Sequence, residues 1–269
     1  ASGRINASNP CSEYMFLDDS SCNLASLNLL KFLNEDNTFD IEGFKQAVAI
    51  FILAQDIIVD LASYPTQKIA RNSHDFRPLG LGYSNLGTLL MVSGIPYDSP
   101  KAFNICSAIT SLMTGYAYTV SAHIAKRKGV FQAYSLNKES ILELIKMHRE
   151  KSNEIDSSLV PENLYIAAKQ AWDDALLFGM SYGYRNAQMT ALAPTGTIGL
   201  LMDCDTTGIE PDYAIVKLKK LSGGGHFKIV NNSVKRALVT LGYTPKEIGE
   251  MIDYVVGTAK FDGTPHINR

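Results

Sequence analysis

A thiol, a carboxylate and a carboxamide fall within five residues at Asn9-Pro10-Cys11-Ser12-Glu13, and a second thiol follows at Cys22. A cysteine in an apolar core behaves as a small hydrophobe. Cys11 stands instead among Asn9, Ser12, Glu13, Asp18 and Asp19, a setting that points to chemistry rather than packing. Its thiol could be a nucleophile, a metal ligand or a redox centre. Glu13, two residues on, shares a face with it in extended chain, where its carboxylate could take up a proton. A metal site is disfavoured, because no CxxC or HxxH spacing is present and the five histidines are scattered. A Cys-His hydrolase is a weak fit, since no histidine precedes His74. On residue types alone, a loop cysteine without function stays open. Cys22, in Ser21-Cys22-Asn23-Leu24, borders an apolar segment. It could be a buried residue at the start of a helix, a disulfide partner if the Cα atoms come within about 7 Å, or a thiol facing a shared substrate.

A second constellation is Ala193-Pro194-Thr195-Gly196-Thr197-Ile198. A strand feeding such a loop presents several backbone N–H groups and two hydroxyls in one direction, a nest that can bind phosphate without formal positive charge. It lacks the Gly-Lys-Ser ending of a P-loop, and an ordinary β-turn has the same composition. Thr206-Thr207-Gly208-Ile209-Glu210-Pro211 is similar in kind, while Cys106 and Cys204 read as structural residues.

The elements that must position these groups are mostly long helices. Residues 1–23 read as polar loop. Asp40 to about Ala62 reads as a helix apolar nearly all round, the mark of burial. Arg77-Pro78-Leu79-Gly80-Leu81-Gly82 reads as a turn leading into a short helix over Asn85–Val92, stopped by Gly94 and Pro96. Ser99 and Pro100 are an N-cap and N1 pair opening a long helix to Gly129. Further helices are expected over Lys138–Arg149 and from Pro161 to Gly179, separated by a polar linker over Lys151–Ser158. Ala187–Leu192 reads as a strand, Ile198–Met202 as apolar extended or helical chain, and Gly223-Gly224-Gly225 as a flexible loop. Thr244-Pro245-Lys246-Glu247 is a capping box that begins a helix ending at Gly257. The pattern is α/β, a helix-wrapped sheet or barrel.

The 269 residues are 46% hydrophobic and 19% charged, with ample material for a core. A net charge of −2 argues against a broad nucleic-acid surface. Four cysteines do not make a disulfide scaffold, and the natural setting is a reducing cytoplasm. The longest apolar run, Ala47 to Ala54, is too short to span a bilayer. No signal peptide is visible. The chain begins with Ala and stops at Pro265-His266-Ile267-Asn268-Arg269, which reads as an internal piece of a longer protein.

Asn9-Pro10-Cys11-Ser12-Glu13, Cys22 in its Cys-Asn-Leu context and Ala193-Pro194-Thr195-Gly196-Thr197-Ile198 together resemble the catalytic subunit of ribonucleotide reductase, in its adenosylcobalamin-dependent (class II) branch. The likeness extends through Arg77–Gly82 and Gly208-Ile209-Glu210-Pro211. It implies that residues 1–269 belong to one catalytic domain, the second half of a ten-stranded α/β barrel, with Cys11 on a central finger loop and long outer helices. By resemblance, a cofactor-derived radical passes to Cys11, whose thiyl abstracts the 3′-hydrogen of a ribonucleotide. Glu13 takes the 3′-hydroxyl proton, Asn9 holds the ribose hydroxyls, and Cys22 is half of the reducing dithiol. Pro194, Thr195, Gly196, Thr197 and Ile198 bind the phosphates.

The resemblance also implies an external dithiol reductant such as thioredoxin, a homodimer of the full-length enzyme, and no nucleic-acid or membrane partner. The second redox cysteine of the family lies upstream of the radical cysteine, and the C-terminal reducing pair downstream; neither is present here. A diiron-dependent (class I) enzyme would use a similar motif, but the short interval from Cys11 to Cys22 goes with the cobalamin group. A glycyl-radical reductase fits poorly. Outside the family, a thiol peroxidase or Cys hydrolase would need a cation beside Cys11, where only Arg4 is near, and a non-catalytic nucleotide-binding module would use the 193–198 loop alone. Neither explains Asn9, Glu13 and the loop together. The 269-residue chain alone is expected to show no reductase activity; turnover by the purified chain would overturn that expectation.

Overall fold

In the computed structural model, which describes residues 2–212, 214–220 and 223–267, two parallel strands organise the chain. β1 (Asn23–Asn28) and β2 (Leu79–Ser84) pair in register, Asn23 opposite Leu79 and Asn28 opposite Ser84. Parallel neighbours require a long crossover, here α1 (Ile41–Leu61) and α2 (Gln67–Phe76). The chain over 187–192 lies along the other edge of β2 as an irregular third strand, joined by an isolated bridge and adjoining backbone hydrogen bonds. Thr190 bridges Leu81 in parallel, and the Leu79 and Ala191 amides donate to Gln188 and Leu81 carbonyls at 2.8 and 3.0 Å. Its crossover runs through α3 (Leu86–Val92), α4 (Pro100–Lys128), α5 (Tyr134–Ser152) and α6 (Glu162–Tyr182).

Alternation along the strands separates two faces. Leu27, Leu79, Leu81 and Tyr83 turn towards the helices and join Phe44, Val48 and Ile52 of α1 and Leu112 and Met113 of α4 in one buried core. The opposite face pairs Leu24 with Gly80, Ser26 with Gly82 and Asn28 with Ser84. The Arg77–Gly82 segment, expected as a turn, is therefore largely strand. Its glycines serve close approach instead: a Cβ at Gly80 would lie 2.6 Å from Cys22 Sγ, and one at Gly82 2.4 Å from the Ala191 carbonyl oxygen.

The helices follow their local signals. Asp40 caps α1 by accepting from Gly43 N, Ser99 with Pro100 opens α4, and Gly129 closes it. α1 departs from expectation in burial. Phe44, Val48, Ile52 and Val59 are inside, yet Ile50, Leu53, Ile57, Ile58 and Leu61 are exposed, Leu61 by 78%. Among the described residues, nothing covers that second face.

Beyond the third strand come α7 (Gly196–Leu201), an antiparallel hairpin of β3 (Val216–Lys220) and β4 (His226–Val230), α8 (Val234–Thr240) and α9 (Pro245–Thr258). Gly223–Gly225 lies in the connection between β3 and β4. α9 has the expected reciprocal Thr244–Glu247 capping box, and Val234, Leu238, Ile248 and Met251 form a small separate core. The chain is α/β, and among the described residues no helix is long and apolar enough to cross a membrane.

One buried ion cluster ties the first crossover to the start of β2 and to the entry of the 187–192 stretch. Arg77, left-handed at φ 50, donates from Nε to Asp56 Oδ1 at 2.8 Å and from Nη1 to Asp60 Oδ1 at 2.6 Å. Asn186 Nδ2 donates to the same Asp56 oxygen at 2.8 Å, and Arg185 approaches Asp56 Oδ2 at 3.5 Å. Removing one partner of a buried pair leaves the other charge poorly compensated. Arg77→Ala should therefore lower unfolding free energy by about 3 kcal/mol, read from the urea midpoint, with Asp60→Asn, at an exposed carboxylate, costing far less.

Candidate active site

Asn9-Pro10-Cys11-Ser12 is a tight turn. Ser12 N donates to Asn9 O at 3.0 Å, and proline at the second position presets the φ such turns need. The flanking chain closes through an antiparallel bridge between Ser8 and Met15. Asn9 fixes the turn with its own side chain, Oδ1 accepting from Tyr14 N at 3.0 Å. Cys11 thus sits exposed at the tip. Aromatic packing holds the loop to the body: Tyr14 stacks on Phe16, which meets the edge of Phe76 with ring centres 5.7 Å apart. Ser21 and Ser73 hydroxyls bond at 2.9 Å, and Asn72 donates to the Asp18 carbonyl.

Cys11 and Glu13 line one cavity of about 1030 Å³. It opens along the outer edge of the third strand, over 187–192, with Thr110 and Thr114 of α4 and His148 of α5 on its far wall. Glu13 Oε2 is buried and has no protein hydrogen-bond partner. A carboxylate oxygen in that state calls for an explanation, and a base awaiting a substrate proton supplies one.

Cys22 does not line this cavity. It lies at the entry to β1, half-buried against Gly80, with Ala191 next to it. Burial pushes its pKa up to about 12, and the Glu13 charge adds to the rise. The two groups therefore feel each other, and Cys22 is held as the neutral thiol. That suits donation of a hydrogen atom better than attack as a thiolate.

The 194–198 loop lies past the C-terminal end of the third strand, and the cavity wall stops short of it at Leu192. Thr195 is four positions beyond Ala191, a reach of at most about 14 Å. Gly196, Thr197 and Ile198 are exposed in the first turn of α7. Thr195 is buried and left-handed at φ 56, and its hydroxyl bonds Ser84 Oγ at 2.8 Å and accepts Gly208 N–H at 2.7 Å. Two hydroxyls were expected to face a phosphate; the Thr195 one is turned inward, because a buried hydroxyl must find its partners within the protein. Cys106, read as structural, also lines the cavity, with Sγ 3.5 Å from the buried Tyr83 hydroxyl. Sequence reasoning missed Ser84 and Asn85; the Gly-x-Gly alternation just before them was the available signal of a strand ending there.

Fold and site together define an α/β domain built around a thiol and a carboxylate on a loop beside parallel strands. The whole chain, residues 1–269, matches the family model described as ribonucleotide reductase, barrel domain, and the chain belongs to that family. It is 54% identical over 264 residues to a vitamin B12-dependent ribonucleotide reductase of Rhodopirellula baltica, covering 98% of this chain and 25% of the relative. Enzymes of the same name from Bradyrhizobium diazoefficiens and Streptomyces coelicolor are each 49% identical, over 100% and 94% of this chain and 23% and 27% of their own lengths. The chain spans about a quarter of the length of these curated relatives.

The two thiols should react differently. With iodoacetamide at pH 8 and peptide mapping, Cys11 should be modified first. Cys22, at a pKa of about 12, should lag by at least about a hundredfold. Because neutral Cys22 is the favoured form, its contribution to stability should be full below pH 8 and be lost as pH rises above about 8.5, the unfolded thiol value.

Proposed function

We propose that the protein containing this chain reduces ribonucleotides to 2′-deoxyribonucleotides with adenosylcobalamin, and that residues 1–269 form the second half of its ten-stranded catalytic barrel. The observation that carries the reading is Cys11 and Glu13 on one cavity, with Glu13 Oε2 unpartnered. The names of the relatives support the cobalamin branch over a metal-radical subunit.

Adenosylcobalamin, when bound, supplies a radical equivalent. Cys11 fits a partner of that kind, since its thiol is exposed at a turn tip and open to a large cavity. The Cys11 sulfur gives up its hydrogen atom and then takes the 3′-hydrogen of the ribose. Glu13 accepts the 3′-hydroxyl proton, which assists loss of the 2′-hydroxyl as water. Asn9 uses its Oδ1 to hold the turn, which leaves its NH2 group to donate to the ribose hydroxyls. Cys22 and a second cysteine outside this chain supply two electrons and two protons and end as a disulfide. The 3′-hydrogen returns from Cys11, restoring the thiyl. Residues 194–198 hold the phosphates, through the Gly196, Thr197 and Ile198 amides and the Thr197 hydroxyl. An external dithiol such as thioredoxin, a homodimeric assembly and a cytoplasmic location belong to the same proposal.

In the full-length protein with adenosylcobalamin, Cys11→Ser should abolish turnover. Glu13→Gln should lower kcat by about 10²–10⁴-fold, while Cys22→Ser should stop multiple turnover. Activity that required a separate radical-generating subunit and ignored cobalamin would sink the cofactor assignment. An active Cys11→Ser variant would sink the mechanism.

A further inference from the structure

The C-terminal ends of the two strands carry a buried polar network that the chemistry above does not use. Asn28 ends β1, Ser84 ends β2, and Asn85 follows in the left-handed region at φ 72. Ser84 and Asn85 are fully buried. Their side-chain partners lie 57 to 124 residues away in sequence. Ser84 Oγ bonds Thr195 Oγ1 at 2.8 Å and accepts Gly208 N–H at 3.0 Å, the same N–H that Thr195 Oγ1 accepts at 2.7 Å. Asn85 Oδ1 accepts Thr206 N–H at 3.1 Å, and its Nδ2 donates to Asn28 Oδ1 at 3.0 Å. Asn28 Nδ2 in turn donates to the Met202 carbonyl at 3.0 Å, and Thr206 Oγ1 accepts from Thr88 N at 3.1 Å.

Three left-handed residues meet at this point: Asn85, Thr195 at φ 56 and Gly208 at φ 50. Asparagine and glycine enter that region readily, but a β-branched threonine is an outlier there. Such a conformation persists only where the surroundings over-determine it. Here Ser84 and the Gly208 amide fix the Thr195 hydroxyl, and Thr195 immediately precedes the exposed Gly196-Thr197-Ile198 stretch. The network also accounts for the Thr206–Pro211 loop, whose own Thr206 and Gly208 point into the protein.

We propose that Ser84, Asn85 and Thr206 are positioning residues for substrate binding. They lock Thr195 in its left-handed state and so aim residues 196–198 at the phosphates of the ribonucleotide. This rests on the reading of 194–198 as the phosphate loop. A purely structural network would change stability when cut, whereas a positioning network changes KM selectively.

The test uses the full-length enzyme, with steady-state kinetics on a ribonucleotide and a melting temperature for each variant. Ser84→Ala and Thr195→Val should each raise KM by about tenfold or more with kcat held within about twofold. Thr195→Ser, which keeps the hydroxyl, should recover most of the KM that Thr195→Val loses. Thr197→Glu places a carboxylate in the exposed loop without touching the network, and should raise KM by repelling phosphate. If Thr197→Glu raises KM while Ser84→Ala and Thr195→Val shift only the melting temperature, the loop reading stands and the positioning role is overturned. If Thr197→Glu leaves KM unchanged, the phosphate loop assignment fails, and the positioning role fails with it.

Discussion

Gly80 and Gly82 present no side chain on the face of β2 where Cys22, Leu24 and the chain at Ala191 press against it. A methyl group at Gly82 would fall 2.4 Å from a backbone oxygen, so the third strand could not lie where it does. The arrangement at the site depends on that approach. It seats Cys22 against the sheet, brings 187–192 alongside β2, and leaves the stretch after Ala191 to continue into the 194–198 loop. The energetic logic is steric: backbone cannot yield by the ångström that a Cβ would demand.

The other face of the same strands carries the opposite chemistry. Leu79, Leu81 and Tyr83 are fully buried against α1 and α4, so register is set strongly, because a slip of one residue would exchange the faces. Arg77 anchors the start of β2 through Asp56 and Asp60, and Asn186 closes the cluster from the third strand's entry. Charge fixes the N-terminal ends of the strands, and neutral hydrogen bonds among Asn28, Ser84, Asn85 and Thr195 fix the C-terminal ends. Between them, aromatic packing, a self-capped turn and hydrogen bonds with Ser73 and Asn72 hold the loop that presents Cys11.

Much of this was legible in the chain. Caps and breakers located α4, α6 and α9 to within a few residues, because those signals act within one turn, and an apolar run located α1. Asn9, Cys11 and Glu13 stood out by being polar and close together. β1 and β2 were not legible as strands: a segment such as Leu79-Gly80-Leu81-Gly82 has turn-like composition, and only its parallel partner makes the glycines an advantage. α2 was missed for a related reason, since Gln67–Phe76 is polar and its helicity is supported by the Thr66 cap and by Arg77. The buried all-round reading of α1 followed from composition, and half of it holds; Ile50 and Leu61 are exposed among the described residues.

Residue order alone determined the chemical groups: a thiol, a carboxylate and a carboxamide within five residues, and a Gly- and Thr-containing loop with free hydroxyl and amide chemistry. These are local facts, set by residue type and by neighbours a few positions away. Tertiary structure decided how each group is used. It left Glu13 Oε2 unpartnered beside a cavity, raised the Cys22 pKa by burial, and turned the Thr195 hydroxyl inward while leaving Thr197 outside. Burial, proton affinity and hydrogen-bond direction are set by residues tens to more than a hundred positions distant, and no spacing along the chain encodes them.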